Sequence, residues 1–295
     1  MKTEQNLKLG IWLMVASAVV FALQDGISRH LGGSYNVYMV VMIRFWVFAA
    51  FVVALAARSP GGIRAATRTR FAPQQITRGV ILVAEVCAMV FAFINLGLIQ
   101  SHAVFACYAL LVAALSGPVL GEKVGWRRWT AIAIGFVGVL IILEPGFAVF
   151  SPWALIPFIS AFMFALYALL TRFVARKDPA SVSFFWTGVI GAAAITPIGL
   201  WHWQPMLLQD WIWMGALCCT AIIGHWLLIK AYAVAEASAV QPFAYLQLMF
   251  IALLGVSLFG ETLRPNVAIG ACVVVAAGLF TLWRQRVKHQ EPPQV

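Results

Sequence analysis

The chain has 295 residues, of which 63% are hydrophobic and 10% charged, and its mean hydropathy is +0.92. A soluble domain carries about 25% charged residues, so this composition excludes a soluble globular protein and places the chain in a membrane. The net charge of +10 is explained below by topology and contact with anionic lipid, with no nucleic-acid partner required.

A spanning helix needs about 20 predominantly apolar residues. By that measure the predicted helices lie near 9–31, 37–57, 79–99, 103–121, 128–144, 152–172, 180–201, 211–233, 239–260 and 265–284. The fold class is therefore all-α and polytopic, with ten transmembrane helices. The first apolar stretch lacks a small-residue cleavage site and is read as a retained span. The longest connector, 58–78, is basic and rich in Gly, Pro and Thr, which suits a cytoplasmic loop. Cys87, Cys107, Cys218, Cys219 and Cys272 all fall in apolar stretches, so they read as small buried hydrophobes rather than a disulfide framework or metal cage.

Basic residues concentrate in cytoplasmic loops. With the amino terminus inside, the inner segments hold sixteen Lys and Arg and the outer segments only Arg29 and Arg264, with Arg44 and Lys230 left within helices. Both termini are therefore expected in the cytoplasm.

The helices repeat. Ser17 to Arg29 reads SAVVFALQDGISR and Ser160 to Arg172 reads SAFMFALYALLTR, offset by 143 positions. Gly121-Glu122 and Gly260-Glu261 each precede an apolar, Val-rich stretch. The expected division is a first five-helix repeat at 1–146, a second at 150–286 and a cytoplasmic tail at 287–295. Five is odd, so the second copy enters the membrane inverted. Arg29 then lies outside and Arg172 inside, while Glu122 lies inside and Glu261 outside. Inverted repeats suit a carrier that opens a central site alternately to each side.

These features resemble the drug/metabolite transporter superfamily, specifically its EamA-domain branch, and within it the exporters of aromatic amino acids. The resemblance implies an inner-membrane carrier whose cavity is lined by helices 1, 3, 4, 6, 8 and 9, with helices 5 and 10 at the periphery. It implies export of amino acids, aromatic and other neutral ones among them, by alternating access. Another multidrug or metabolite exporter of the same fold is the alternative. The small multidrug relatives bind cations at an acid in the middle of the first helix, and Ala18 to Phe21 offers none here. A non-transporting scaffold or sensor is disfavoured by the lack of a soluble domain. The chain has neither a phosphate-binding Gly-x-x-x-x-Gly-Lys loop nor a His-Glu-x-x-His helix, so neither an ATP-driven pump of that type nor a zinc enzyme is expected. No cofactor or metal is called for, and a monomer suffices because the duplication supplies both halves.

Candidate site residues follow from helical spacing. Ser17, Phe21, Gln24 and Ser28 share one face, and Ser160, Phe164, Tyr167 and Thr171 repeat it; each stripe reads equally as a cavity wall or as close helix packing. Phe21, Tyr108, Phe164, Tyr167, Trp226 and Tyr245 can stack on an aromatic ring, and Gln24, Gln241 and Gln247 can bond an ammonium or carboxylate. Charges within the spans are costly, about 2.5–3.5 kcal/mol each at a helix centre. Asp25 and Arg44 are expected to pair. Glu85 and Lys230 divide between snorkelling to the cytoplasm and, with His225, coupling of proton movement. His102, in the expected hairpin between helices 3 and 4, is read as exposed. Pro118 and Pro242 are hinge candidates in repeat-related helices, a static kink being the competing reading.

Overall fold

A computed structural model describes residues 7–121, 125–143, 153, 155–174, 177–234 and 241–290, and the regular secondary structure among these is all helical. The helices are α1 (Leu7–Ser34), α2 (Val37–Arg58), α3 (Gly62–Thr67), α4 (Ala72–Leu96), α5 (Leu98–Phe105), α6 (Tyr108–Leu120), α7 (Trp126–Leu143), α8 (Leu155–Val174), α9 (Ala180–Trp201), α10 (Asp210–Val234), a 3-10 turn (Gln241–Tyr245), α11 (Leu246–Phe259) and α12 (Pro265–Gln290). Six stretches among them are long and apolar enough to cross a membrane, counting α5 with α6 as one, and four shorter apolar helices accompany them. The chain is a polytopic membrane protein. Large apolar side chains face outward along its surface, Ile134, Val137, Leu140, Leu253 and Ile269 among them. That exposure is stable only against lipid. Exposed Trp126 at the start of α7 and Trp201 at the end of α9 sit where interfacial tryptophans belong.

Packing follows the repeat. The closest helix pairs are α1 with α10, α4 with α8, α2 with α9 and α7 with α12. Exchanging the halves turns the first pair into the second and leaves the last two unchanged. At the α7–α12 crossing, a Cβ on Gly138 would lie 2.9 Å from the Gly270 carbonyl oxygen, and one on Gly270 2.5 Å from that of Gly138. Small residues let the two backbones touch there, as membrane helices favour.

Two serines repeat one contact. Ser17 Oγ donates to the Gly224 carbonyl of α10 at 3.1 Å, and Ser160 Oγ reaches the Glu85 carbonyl of α4 at 3.4 Å. Since Ser17 and Ser160 are repeat partners, Gly224 is the structural partner of Glu85. By the same offset Lys230 is the repeat equivalent of Phe91.

Boundaries differ from expectation at three places. The expected hairpin at 99–103 is a break at Gly97, with φ +87 and ψ 167, a conformation that strains any other residue. Helix 9 begins as the 3-10 turn, and α12 continues to Gln290, so the expected tail is helical over its first residues.

Candidate functional site

The break at Gly97 organises the end of α1. A Cβ at Gly97 would lie 2.7 Å from Glu261 Oε1, so the turn admits the carboxylate only because it is glycine. Glu261 accepts from the backbone N–H of Leu98 at 2.7 Å and of Ile99 at 2.9 Å, which caps the N-terminus of α5 where the helix dipole favours an anion. The same carboxylate forms an ion pair with Arg29, whose guanidinium lies 4.2 Å from the Phe259 ring centroid. Gly121 and Gly260, the glycines of the two Gly-Glu pairs, both end their helices with positive φ. Glu122 lies outside the described residues, as does the Arg172 side chain.

One turn earlier on α1, Asp25 meets the other half of the chain. Its Oδ2 accepts from Gln247 Nε2 of α11 at 3.0 Å and stands 3.1 Å from His102 Nε2 of α5. His102 is 6% exposed, and its ring stacks on Phe93 at 5.2 Å with a 17° interplanar angle. The expectation of an exposed His102 is corrected: by ending α4 early, Gly97 carries residue 102 inward. The expected Asp25–Arg44 ion pair is also corrected, because Asp25 spends its oxygen on His102 and Gln247. Arg44 is buried, and no ion pair within 4 Å is formed by it among the described residues.

His102 and Gln247 line a recess with Phe105, Ala106, Tyr108, Ala109, Ala244, Tyr245 and Leu248. Tyr108 and Tyr245, which face each other in the repeat, are both in it. Its aromatic wall continues onto α8: Phe105 lies 5.3 Å from Tyr108 and 5.5 Å from Phe164, Tyr108 meets Phe164 edge to face at 5.0 Å, and Phe164 lies 5.8 Å from Tyr167. Rings at these separations attract one another through their quadrupoles and present a continuous apolar face. Buried polar atoms without hydrogen-bond partners among the described residues include His102 Nε2 and the Tyr245 hydroxyl, both from residues of the recess, and, elsewhere, Gln24 Oε1, Ser101 Oγ and Trp186 Nε1. A buried polar atom left unpaired costs about 1–3 kcal/mol.

The remaining candidates divide. Phe21 contacts His225 edge to face at 5.1 Å, and its ring occupies the space a side chain at Gly224 would need. His225 Nδ1 is 2.9 Å from the Ala221 carbonyl of its own helix, and its ring also meets Phe48. Glu85 is buried and accepts from Ser160 Oγ at 2.9 Å, so it does not snorkel. Trp226 is 49% exposed, with Lys230 above its ring at 5.8 Å, and α10 turns both away from the recess. Pro118 lies inside α6. The side chains of Gln241 and Pro242 lie outside the described residues.

Sequence reasoning missed two groups. Phe105 and His102 belong to the recess, and the signal that could have found them is the Gly97 turn, which moves His102 from a hairpin into a buried helix that ends at Phe105. Arg78, expected at the end of a basic loop, is 2% exposed and joins three helices. It donates to Thr171 Oγ1 at 3.0 Å, the Ser183 carbonyl at 3.0 Å, Thr187 Oγ1 at 2.7 Å, Tyr167 Oη at 3.3 Å and Gln75 Oε1. Nearby Asp178 is held below its ordinary carboxylate range: burial raises it, and hydrogen bonds from Thr69, Gln75 and the Arg70 N–H outweigh that.

Paired helices that exchange between two halves, around an aromatic recess built from both, define a membrane carrier. The EamA-like transporter family model matches residues 8–144 and again 151–283, and the chain belongs to that family. Its function is transport, not enzymatic catalysis. The chain is similar to a riboflavin transporter of Vibrio cholerae, 29% identical over 95% of each chain. It is also similar to an S-adenosylmethionine uptake transporter of Rickettsia prowazekii, 22% identical over 97% of this chain and 95% of that one. A solved crystal structure, 16% identical, superposes on 96% of this chain and 99% of its own with a TM-score of 0.63, which shows the fold. The finer resemblance to aromatic amino-acid exporters is corrected by these relatives, which are named for other substrates.

Proposed function

We propose that the chain is a secondary carrier that takes up a flat heteroaromatic metabolite, of which riboflavin is the first candidate, across the bacterial inner membrane by alternating access. The observation that supports it best is the aromatic wall of Phe105, Tyr108, Phe164 and Tyr167, rimmed by unpartnered polar atoms. Such a wall stacks on a broad ring system while polar groups bond the ring edge and tail. Riboflavin and S-adenosylmethionine, the substrates printed in the names of the two relatives, both join a flat nitrogen heterocycle to a polar chain. These names favour a heterocycle over the amino acids expected from the sequence, and the second of them is that of an uptake transporter.

In this reading the chain has ten spans in two inverted five-helix repeats, 1–146 and 150–286, with a tail at 287–295 and both termini cytoplasmic, and works as a monomer. The basic-residue bias and the exchange of α1–α10 with α4–α8 support it. Tyr108, Phe164, Tyr167 and Tyr245 contact the ring; Gln24, Gln241 and Gln247 serve its polar groups; Ser17 and Phe21 pack α1 against α10; Pro118 and Pro242 bend the paired helices. Trp226 and Lys230 are left to lipid and the membrane surface. The purified protein in sealed liposomes, offered labelled riboflavin, S-adenosylmethionine, phenylalanine and a cationic dye, tests the reading. Saturable entry of a heterocycle supports it, and entry of phenylalanine or the dye alone overturns it.

A further inference from the structure

We infer that Asp25 and His102 form a proton-binding site that couples proton entry to transport, an inference that rests on the carrier reading above. Three side chains from three helices converge on one oxygen: Asp25 Oδ2 meets His102 Nε2 at 3.1 Å and Gln247 Nε2 at 3.0 Å. Two of the three also line the recess. A buried imidazole 3.1 Å from a carboxylate oxygen can share an exchangeable proton with it, and the stacking of His102 on Phe93 holds its ring beside Asp25.

The surroundings make that proton matter. Arg44 of α2 and Glu85 of α4 lie within electrostatic range of Asp25. Tyr108 of α6 and Tyr245 of the 3-10 turn share the recess, His225 of α10 lies within range of Arg44, and the Arg29–Glu261 pair stands one turn farther along α1. Arg29 and Glu261 pair with each other. Deprotonated, the pair carries one negative charge into an apolar site; one proton from the outer solution brings it to carboxylate with imidazolium, net zero. A neutral site moves through the membrane at lower electrostatic cost than a charged one. The proton enters with the substrate from one side and leaves to the other as the recess reopens, and no bond other than that to the proton is made or broken.

Glu85 and His225, the coupling candidates expected from the sequence, are engaged elsewhere. Glu85 is held by Ser160, and His225 by Phe21, Phe48 and its own backbone. Neither is among the residues that line the recess.

The inference is tested in two arms. In liposomes holding the purified protein, an inward gradient of one pH unit is expected to sustain up to about tenfold riboflavin accumulation for one proton per substrate, and Asp25→Asn or His102→Gln to bring that ratio to about one. Equal ratios in wild type and both variants overturn the coupling. The second arm needs no substrate: 15N NMR of the histidine rings in the purified protein should show a signal, absent from His102→Gln, that shifts with pH and moves in Asp25→Asn. A His102 signal that does not titrate, or that ignores Asp25→Asn, defeats the proposal whatever the carrier transports, while failure of riboflavin entry with a titrating pair counts only against the substrate.

Discussion

Replacing Glu261 with alanine removes three interactions at once: the Arg29 ion pair and the two N–H groups of Leu98 and Ile99. Breaking a buried pair by deleting one partner costs about 3–5 kcal/mol. Arg29 and Glu261 keep 20% and 13% side-chain exposure, so the lower end applies, about 3 kcal/mol. At roughly 2–4 °C per kcal/mol for a chain of this size, the midpoint of thermal unfolding in detergent should fall by about 6–12 °C. Glu261→Gln keeps an acceptor for one amide and loses the ion pair, so it should lose about half as much. A double-mutant cycle with Arg29→Ala separates pair from cap, with an expected coupling of about 1–2 kcal/mol. A shift below 1 °C for Glu261→Ala, or a coupling indistinguishable from zero, would refute the capping argument and with it the reason given for Gly97.

Arg78→Lys should destabilise the protein by about 3 kcal/mol in the same assay, because an ammonium cannot reproduce the fork that bonds Thr171, Thr187 and the Ser183 carbonyl; a shift within error would show that the fork is dispensable. Asp178 titrates below its ordinary value of 3.8, so its contribution to stability is present above that pH and declines as the pH falls through the lower folded value. Asp178→Asn should therefore flatten the loss of stability in acid, and an unchanged acid profile would contradict this. Phe164→Ala should weaken substrate binding about tenfold, in keeping with about 1–1.5 kcal/mol for an aromatic contact, while Trp226→Ala on the exposed face of α10 should leave it unchanged. Competition binding on the two variants checks the contrast, and equal effects would dissolve the distinction between wall and lipid face.

Apolar runs of about 20 residues made most helices legible from composition alone, and the match of Ser17–Arg29 with Ser160–Arg172 made the duplication legible in the order of residues itself. The stripes Ser17/Phe21/Gln24 and Ser160/Phe164/Tyr167 were readable because helical spacing fixes which residues share a face. The site was readable only in part, since its polar corner depends on tertiary contact. Nothing local to Asp25 tells that its partner is His102, 77 positions away, rather than Arg44 in the adjacent helix. A single glycine decided it: Gly97, inconspicuous in an apolar stretch, ends α4 and turns His102 and Phe105 inward. Trp226 lies on the exposed face of α10, which local sequence does not mark, and Arg78 was hidden by the basic loop beside it.

The most direct test is counterflow of labelled riboflavin in liposomes containing only the purified protein, with S-adenosylmethionine and phenylalanine as competitors. The account predicts saturable riboflavin entry that Phe164→Ala weakens and that excess S-adenosylmethionine inhibits more than phenylalanine does. Entry of labelled phenylalanine in the same vesicles, with no flux of either heterocycle, would contradict it.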